Sequence, residues 1–467
     1  MTTTERTSSE LSLMAVLMPA VLVTVIASDM VNLMLPSIGA QFGASEAELA
    51  WVVTGFLLTF AVGIPFYGRI SDRVSLRRLF GFALLAFAAG SLVCALAPDL
   101  LVLVLGRIVM GVGAAALPVL SIIAVTRLMP SDKRGMGIGV VSAATGIGTA
   151  AGPALGGGIG QAFGWQALFW LMLVVALVLL PAALRVLPGE AAAGKVRFDL
   201  LGGLLLGLGA GLFLFGITQA QVAGFGAAPS WASLAVAAVA IALFGWRTVR
   251  VAQPFVPPAL FTNRVYRAAV VVAFLAMIVN LGVLVFVPLL VVDANGLTPG
   301  AGALVMIPAG VAVALLSPLI GRLADRIGTR PLTLIGLGFM GVFTLFLSTF
   351  TGGASVIPAG AGVLGLSTGF ILVITPIISA AADALPAEQV GVGLGILQGA
   401  QFLGAGTGPA LLGVLVTARQ QTGAVNPLFP SHAGAAYSDA FLAMTVVVAL
   451  TLIVAFGMRP TAQQPAA

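Results

Sequence analysis

The chain has 467 residues, and only 8% of them are charged: 21 are basic and 15 are acidic. Soluble domains carry about 25% charged residues, whereas 60% of this chain is hydrophobic. A water-soluble globule of this size would leave large apolar patches exposed. Composition therefore excludes a soluble enzyme, a disordered chain and a nucleic-acid-binding domain.

Cysteine and histidine are too scarce to support a disulfide or a metal centre. The single cysteine, Cys94, lies in an apolar run, and the single histidine, His432, lies in a polar segment. No Cys-x-x-Cys pair occurs, so the sequence predicts no metal site and no cofactor. The apolar run 11–38 exceeds the core of a signal peptide and is predicted to be a retained membrane span.

Long apolar segments recur at the length that a membrane helix needs, roughly 20 residues. Fourteen segments qualify: 11–38, 49–68, 79–97, 100–126, 135–160, 165–186, 198–219, 231–250, 266–292, 299–320, 331–350, 355–383, 389–418 and 438–458. The short alternating strands of a membrane barrel do not fit this pattern. The predicted fold class is an all-α membrane protein with fourteen transmembrane helices.

The basic residues indicate how these helices are oriented. If the N-terminus is cytoplasmic, 19 of the 21 basic residues fall on the cytoplasmic side, while Arg107 lies inside a helix and Arg419 lies outside. Cytoplasmic loops carry an excess of lysine and arginine, so we expect both termini in the cytoplasm. The net charge of +6 then reflects topology and attraction to anionic lipid rather than nucleic-acid binding.

Three pairs of segments repeat at nearly one spacing. Residues 68–73 recur at 321–326, 129–135 at 385–391 and 148–153 at 404–409, with offsets of 253 or 256. The offset exceeds half the chain, which fits two extra helices between two six-helix repeats. Parallel repeats around a central cavity are typical of transporters.

The repeats predict three parts. They are an N-terminal six-helix bundle at 1–187, a linker with two additional transmembrane helices at 188–265, and a C-terminal six-helix bundle at 266–467. The linker helices carry no internal acid or base, so we expect them to pack at the periphery.

Three further patterns combine glycine with charge or proline. The loop pattern G-x-L-a-D-r-x-G-r-[KR] matches residues 68–77, R-x-x-q-G-x-G-a-a matches 107–115, and G-x-x-x-G-P-x-x-G-G matches 148–157. With them the chain resembles the major facilitator superfamily over nearly its whole length, in particular the fourteen-helix drug:proton antiporters that include tetracycline exporters. The resemblance implies the major facilitator fold, two six-helix bundles plus two linker helices, and no enzymatic activity.

The chain departs from these relatives at positions that bear on the substrate. Ser75 stands where the loop usually has glycine. Asp29 lies three residues before Asn32, a spacing more like that of twelve-helix chloramphenicol and bicyclomycin exporters. Fourteen-helix tetracycline exporters carry extra carboxylates where this chain has Thr149 and Ala405. The chain is therefore less suited to bind a metal–tetracycline cation.

Only two ionisable residues lie clearly inside predicted helices, Asp29 and Arg107. A charge at the bilayer centre costs about 2.5 to 3.5 kcal/mol on insertion scales, so such residues usually serve function. Asp29 is the candidate proton carrier, and the resemblance implies that Arg107 tunes it or a proton pathway. The structural alternatives are a capping role for Asp29 and an ion pair or carbonyl anchor for Arg107.

The loop 68–77 joins the second and third predicted helices on the cytoplasmic side. Asp72 can accept hydrogen bonds from helix-end amides or pair with arginine, and the resemblance implies a latch between the two halves. The residues assigned to this cytoplasmic latch are Gly68, Arg69, Asp72, Arg73, Arg77 and the repeat-related Asp325. The alternative is a solvated charge cluster that sets the topology.

Glycines spaced four apart in the fifth predicted helix form a face that a neighbouring backbone can approach closely. Pro153 removes a helix hydrogen bond and favours a kink. The residues of this gating helix are Gly148, Gly152, Pro153, Gly156 and Gly157. We expect the face to seal and unseal the interface between the halves, and ordinary tight packing is the alternative.

Uncharged polar and aromatic residues at membrane depth are the candidates for a substrate pocket. They are Asn32, Phe56, Phe60, Asn280, Phe286, Gln398 and Gln401. Hydrogen bonds between helices, or lipid contact, are the competing interpretations. Energy is expected from an ion gradient, because residues 189–196 resemble a phosphate-binding loop but lack the Ser or Thr that would hold magnesium.

Composition and resemblance together predict a proton-coupled antiporter that exports lipophilic drugs or antibiotics from the cytoplasm by alternating access in a bacterial inner membrane. The expected partners are a small-molecule substrate, protons and membrane lipids, with no nucleic acid, and the expected assembly is a monomer. The alternatives are a narrow exporter of one antibiotic such as tetracycline, a nutrient:proton symporter and a non-transporting membrane sensor.

Overall fold

A computed structural model describes residues 3–31, 34–189, 199–297, 302, 304–353, 355–420, 423–429 and 434–458. The regular structure in these ranges is helical. In chain order the α-helices are α1 (Thr3–Asp29), α2 (Leu35–Phe42), α3 (Glu46–Ser71), α4 (Leu76–Ala95), α5 (Leu100–Leu128), α6 (Arg134–Phe163), α7 (Trp165–Val186), α8 (Leu200–Ala223), α9 (Ala228–Arg250), α10 (Arg264–Leu289), α11 (Ile307–Ile327), α12 (Thr329–Phe350), α13 (Ile357–Asp383), α14 (Val390–Arg419) and α15 (Ala435–Phe456).

Short helical turns connect some of these helices. Three are 3₁₀ turns, at Ser131–Lys133, Pro258–Thr262 and Ala387–Gln389, and a π-helical turn at Leu290–Ala294 extends α10. The 3₁₀ turns that precede α6 and α14 lie at equivalent positions of the two sequence repeats.

Thirteen helices in the described part of the chain are long and apolar enough to cross a membrane. The protein is therefore an integral membrane protein with an all-helical fold. The thirteen are the long helices other than α6, which has 30 residues and contains three whose side chains are not described. The predicted total of fourteen spans thus depends on α6.

The first predicted span, 11–38, is not one continuous helix. Helix α1 ends at Asp29, and α2 begins at Leu35 with Pro36 in its first turn. Proline is well suited to a first turn because its missing N–H is not needed there, whereas inside a helix it breaks a hydrogen bond. The break places Asp29 at the end of α1.

The long helices form two sets that pack mainly among themselves. The first set is α1 and α3–α7, and the second is α10–α15. The principal contacts between the sets are α3 with α14 and α6 with α11. We call these contacts the α3–α14 seam and the α6–α11 seam.

Both seams are closed at one end of the bundle, where α3, α5, α11 and α13 end and α6 and α14 begin. We call this end, which carries Asp72, Arg127, Arg134 and Asp325, the basic face, and the opposite end the far face. Close approach there needs glycine, because a Cβ added at Gly68 would lie 2.7 Å from the Cα of Gly395.

Helices α8 and α9 pack against each other, and α8 also contacts α3 and α14, so it lies along the α3–α14 seam. At its basic-face end, Asp199 accepts hydrogen bonds from the Gly202 amide and from Arg247 of α9, at 3.0 and 2.8 Å. The ring of Phe255, which follows α9, lies 5.0 Å from that of Phe66 on α3. The pair of helices is thereby attached to the first set.

Candidate functional site

Asp29 is the last residue of α1 and is half buried. Helix α6 lies directly beside it, since a Cβ added at Gly152 would be 2.9 Å from the Cβ of Asp29. An acid that is both half buried and in contact with a neighbouring helix can couple its charge to helix packing.

Arg107 of α5 has no exposed surface. Its Nε donates to the Val52 carbonyl of α3 at 3.0 Å, and its Nη1 donates to the Ala27 carbonyl of α1 at 2.8 Å. The guanidinium carbon lies 4.2 Å from the ring centre of Phe56. Its Nη2 has no hydrogen-bond partner within the described residues, which leaves one buried donor available.

Arg107 and Asp29 are related through the end of α1. The Ala27 carbonyl belongs to the last turn of that helix, where carbonyls lack partners within the helix and a cation is favoured. The charges of Arg107 and Asp29 interact, yet no hydrogen bond joins them among the residues described. The guanidinium therefore serves as a carbonyl anchor, and it lies near enough to sense the charge of Asp29.

The glycine face of α6 meets α1. An added Cβ at Gly148 would lie 2.7 Å from the Cβ of Val25, and one at Gly156 would collide with the Met30 carbonyl. Gly157 is half buried, and the side chain of Pro153 lies outside the described part of the chain. The close neighbour of this face is thus a helix of its own set.

Other glycines of α6 form the α6–α11 seam. A Cβ at Gly135 would collide with the Gly321 carbonyl and with Asp325, one at Gly139 with the Ser317 carbonyl, and one at Gly146 with Val313. The glycine pattern at 148–157 predicted this contact between the halves, but Gly148, Gly152 and Gly156 face α1 instead. The repeated glycine at 135 and 391 was the signal that could have identified the seam.

Asp72 links α3 to the first turn of α14. Its carboxylate accepts the Gly391 amide at 2.9 Å and the Val392 amide at 3.0 Å. Arg127 pairs with the same carboxylate at 2.7 Å and donates to the Ser71 carbonyl at 2.6 Å. The free amides of a helix N-terminus are a favourable partner for a carboxylate. We call this arrangement the first latch.

Asp325 of α11 makes the equivalent contact with α6. It accepts the Gly135 amide at 2.9 Å and the Met136 amide at 3.1 Å. The two sequence repeats thus place an aspartate against the opposite helix N-terminus at both seams, and we call this arrangement the second latch. The sequence motifs indicated both aspartates but not the four amides that they bind.

The arginines near the first latch have different partners. Arg69 is buried and donates to the Pro254 carbonyl at 3.3 Å, so it ties α3 to the segment that follows α9. Arg77 donates to the Leu187 carbonyl at 2.9 Å, and Arg73 is half buried. Arg127, counted from sequence only as a topological charge, is the arginine that pairs with Asp72 at this latch.

Three aromatic rings run from Arg107 to the α3–α14 seam. The Phe56 and Phe60 ring centres are 5.9 Å apart, and Phe60 meets Phe402 of α14 at 4.9 Å. The Phe60–Phe402 pair joins the two sets of helices. Phe402 was not among the candidates from sequence.

The polar pocket candidates keep unsatisfied atoms. Asn280 Oδ1, Gln398 Nε2 and Gln401 Nε2 are buried without a hydrogen-bond partner in the described part of the chain. A buried polar group without a partner is costly, so such atoms are suited to a ligand or a rearrangement. Phe286 is buried and packs 6.3 Å from Tyr437, and Asn32 lies outside the described residues.

Two repeated six-helix sets that meet at two anchored seams have the architecture of a membrane transporter. The model of the Major Facilitator Superfamily matches residues 17–409 and 268–466. The chain belongs to this superfamily, whose members are transporters rather than enzymes.

Several relatives of this chain are named as drug-resistance proteins. The multidrug resistance protein Stp of Mycobacterium tuberculosis is 32% identical over 391 residues, which are 83% of this chain and 72% of Stp. The lincomycin resistance protein LmrB of Listeria monocytogenes is 27% identical, over 84% of this chain and 83% of its own. The uncharacterized MFS-type transporter YcnB of Bacillus subtilis is 27% identical over 97% of both chains.

Solved structures share the fold. The human organic anion transporter MFSD10 aligns with a TM-score of 0.65 and 16% identity, over 96% of this chain and 99% of its own. The proton:xylose symporter XylE, bound to 6-bromo-6-deoxy-D-glucose, aligns with a TM-score of 0.66 and 17% identity over 95% of both chains. At these identities the likeness concerns the fold alone.

Proposed function

We propose that this protein is a proton-coupled antiporter that exports lipophilic drugs or antibiotics across a bacterial inner membrane. The names of its relatives, multidrug and lincomycin resistance proteins, support drug efflux. The observation that carries proton coupling is the contact between Asp29 and Gly152. It joins a half-buried carboxylate to the helix that also forms the α6–α11 seam.

In this proposal the basic face is cytoplasmic. The excess of arginine and lysine there supports that orientation. With α6 counted as a fourteenth span, both termini lie on the cytoplasmic side. The bundles are residues 1–187 and 266–467, with 188–265 as the linker, and the protein acts as a monomer in contact with lipid. The described state, with both latches engaged, is then closed to the cytoplasm and represents one end of an alternating-access cycle.

The proposed coupling is electrostatic. A proton that arrives from the far face neutralises Asp29, which removes its attraction to Arg107 and the cost of its charge beside α6. Helix α1 can then shift along the glycine face of α6, and this movement is passed to the α6–α11 seam. Release of the proton on the cytoplasmic side restores the charge and resets the packing.

The proposed pocket lies between the two sets of helices. Phe56, Phe60 and Phe402 supply aromatic surface near Arg107, and the unpartnered amides of Gln398 and Gln401 supply hydrogen bonds. Aromatic walls with few polar groups suit lipophilic compounds. Asn280, Phe286 and Asn32 complete the candidate set.

The test uses everted membrane vesicles with an acidic lumen and a panel of lipophilic antibiotics and dyes. We expect an added substrate to release lumenal protons through the native chain, and Asp29→Asn to abolish this release while expression is retained. Asp293→Asn is the matched control, because Asp293 is an exposed acid near the end of α10.

The outcomes separate the alternatives. Proton release by only one antibiotic in the panel indicates a narrow exporter, and proton entry coupled to solute uptake indicates a symporter. If no compound moves protons through the native chain, the antiporter proposal fails. Undiminished uphill export by Asp29→Asn across a pH series removes Asp29 from the coupling role.

A further inference from the structure

The two latches carry opposite charges at one equivalent position. An offset of 256 places Asp383, the last residue of α13, where Arg127 stands near the end of α5. Arg127 pairs with Asp72, whose side chain is only 3% exposed. The first latch therefore combines two amide hydrogen bonds with a well-shielded ion pair.

The second latch has like charges around its aspartate. Asp325 interacts electrostatically with both Asp132 and Asp383, and both interactions are repulsive for its charged form. Arg134 reaches Asp383 at 3.5 Å, but the Asp383 side chain is 61% exposed. Exposed pairs of this kind contribute little. The carboxylate of Asp325 thus relies on its two amide partners.

We propose that the latches are unequal and that the second latch releases first, so that the basic face begins to open along the α6–α11 seam. The inference rests on the alternating-access cycle proposed above. Helix amides attract a carboxylate in both latches, but among the described residues a cation pairs with the carboxylate in the first latch alone. Asp132 and Asp383 are both exposed, so solvent screens their repulsion of Asp325, and the main difference between the latches is the cation that Arg127 supplies to the first.

The difference in stability between the two latches also indicates which helix moves in the cycle. Helix α6 carries both the second-latch amides, at Gly135 and Met136, and the glycine at 152 that faces Asp29. A change at Asp29 therefore reaches the weaker latch through one continuous helix. The stronger latch at Asp72 lies on the other seam and releases as the opening widens.

The test measures distances between pairs of spin labels by pulsed electron resonance on the full chain in lipid nanodiscs. The single cysteine, buried Cys94, is first replaced by alanine. Labels at Arg78 and Ala387 report the α3–α14 seam, and labels at Ser131 and Ile327 report the α6–α11 seam; these four side chains are exposed.

In the chain with native latches, we expect a minor long-distance population between the labels at Ser131 and Ile327. The population between the labels at Arg78 and Ala387 should be smaller. Asp72→Asn should increase the long-distance population at both pairs by more than Asp325→Asn does. Equal effects of the two variants, or a larger effect of Asp325→Asn, would overturn the proposal.

A charge reversal provides the converse test. Asp383→Arg makes the second latch resemble the first, so the long-distance population at Ser131–Ile327 should fall and transport should slow. Asp383→Asn removes the repulsion without adding a cation and should move the distances in the same direction by less. An unchanged or larger open population in both variants would contradict the inequality.

These readouts do not depend on a substrate. If the native chain moves no compound, the proposed function fails, but the two latches can still be ranked by the distance measurements. If transport is proton-coupled and the two latches respond equally, the function stands and the inequality is rejected.

Discussion

The α-carbon of Gly152 faces the side chain of Asp29, so closely that an added methyl group would lie 2.9 Å from the Cβ of the aspartate. The one acid of the first span and the glycine face of α6 are therefore parts of one contact. Motifs far apart in the sequence act on the same pair of helices.

Replacement of Gly152 by leucine should block transport while leaving membrane insertion intact. The larger side chain would separate α6 from α1 and displace Asp29, and overpacking of this kind costs about 1–3 kcal/mol. Transport in vesicles and the surface level of the protein are the two measurements.

Gly158→Leu is the matched control for that experiment. Gly158 lies on the same helix, is exposed, and has no atom within 4 Å of an added Cβ. Transport by this variant should remain near the native level. Normal transport by Gly152→Leu would mean that α1 and α6 need not be in close contact.

Arg107→Lys should reduce both stability and coupling although it keeps the charge. A lysine cannot reproduce the planar fork that binds the carbonyls of Ala27 and Val52 and covers the Phe56 ring. Loss of a buried hydrogen bond costs about 1–3 kcal/mol, so the thermal midpoint in detergent should fall. Arg322→Lys, at an exposed position, should leave the midpoint unchanged.

Phe60→Ala and Phe402→Ala should weaken the α3–α14 seam in a non-additive way. Their rings meet at 4.9 Å across the α3–α14 seam, and such aromatic pairs are worth about 0.5–1.5 kcal/mol beyond their buried area. A double-mutant cycle on thermal stability measures this coupling. A coupling energy of zero would show that the two rings contribute independently.

Much of the fold could be predicted from the sequence because membrane helices carry strong apolar signals and the repeats share an offset. The break after Asp29 was missed, because an apolar run does not reveal where a helix stops, although Pro36 was a signal. The apolar sequence of α8 predicted a membrane helix, but not its position along the α3–α14 seam. Its attachment through Phe255 could not be predicted either.

For the latches, the sequence indicated the two aspartates but not their partners. Asp72 and Asp325 were both candidates, but their partners are backbone amides. A backbone amide does not depend on the type of residue, so only the repeat at 129–135 and 385–391 indicated these positions. The spacing of the α6 glycines showed that one face packs closely. Spacing alone cannot say which neighbour meets that face, and the neighbour is α1.

Asp199→Asn should destabilise the attachment of α8 and α9 by the same amount from pH 5.5 to pH 8. Burial acts to raise the pKa of Asp199, but hydrogen bonds from the Gly202 amide, from Arg247 and from the Phe255 amide outweigh it and hold the pKa below its usual range. A carboxyl with a lowered pKa in the folded state stabilises that state fully above the unfolded pKa, roughly 3.9 for aspartate. The stabilisation is lost only as the pH falls through the lower, folded value, so neutral and mildly acidic solutions should give one constant difference.

The measurement is the thermal midpoint of the native chain and of Asp199→Asn in detergent at several pH values within that window. Loss of the charged hydrogen bonds should cost about 1–3 kcal/mol. Glu388→Gln serves as the control, because Glu388 is exposed at the same face. A difference that shrinks steadily as the pH falls from 8 to 5.5 would show that Asp199 titrates in this window, contrary to a lowered pKa.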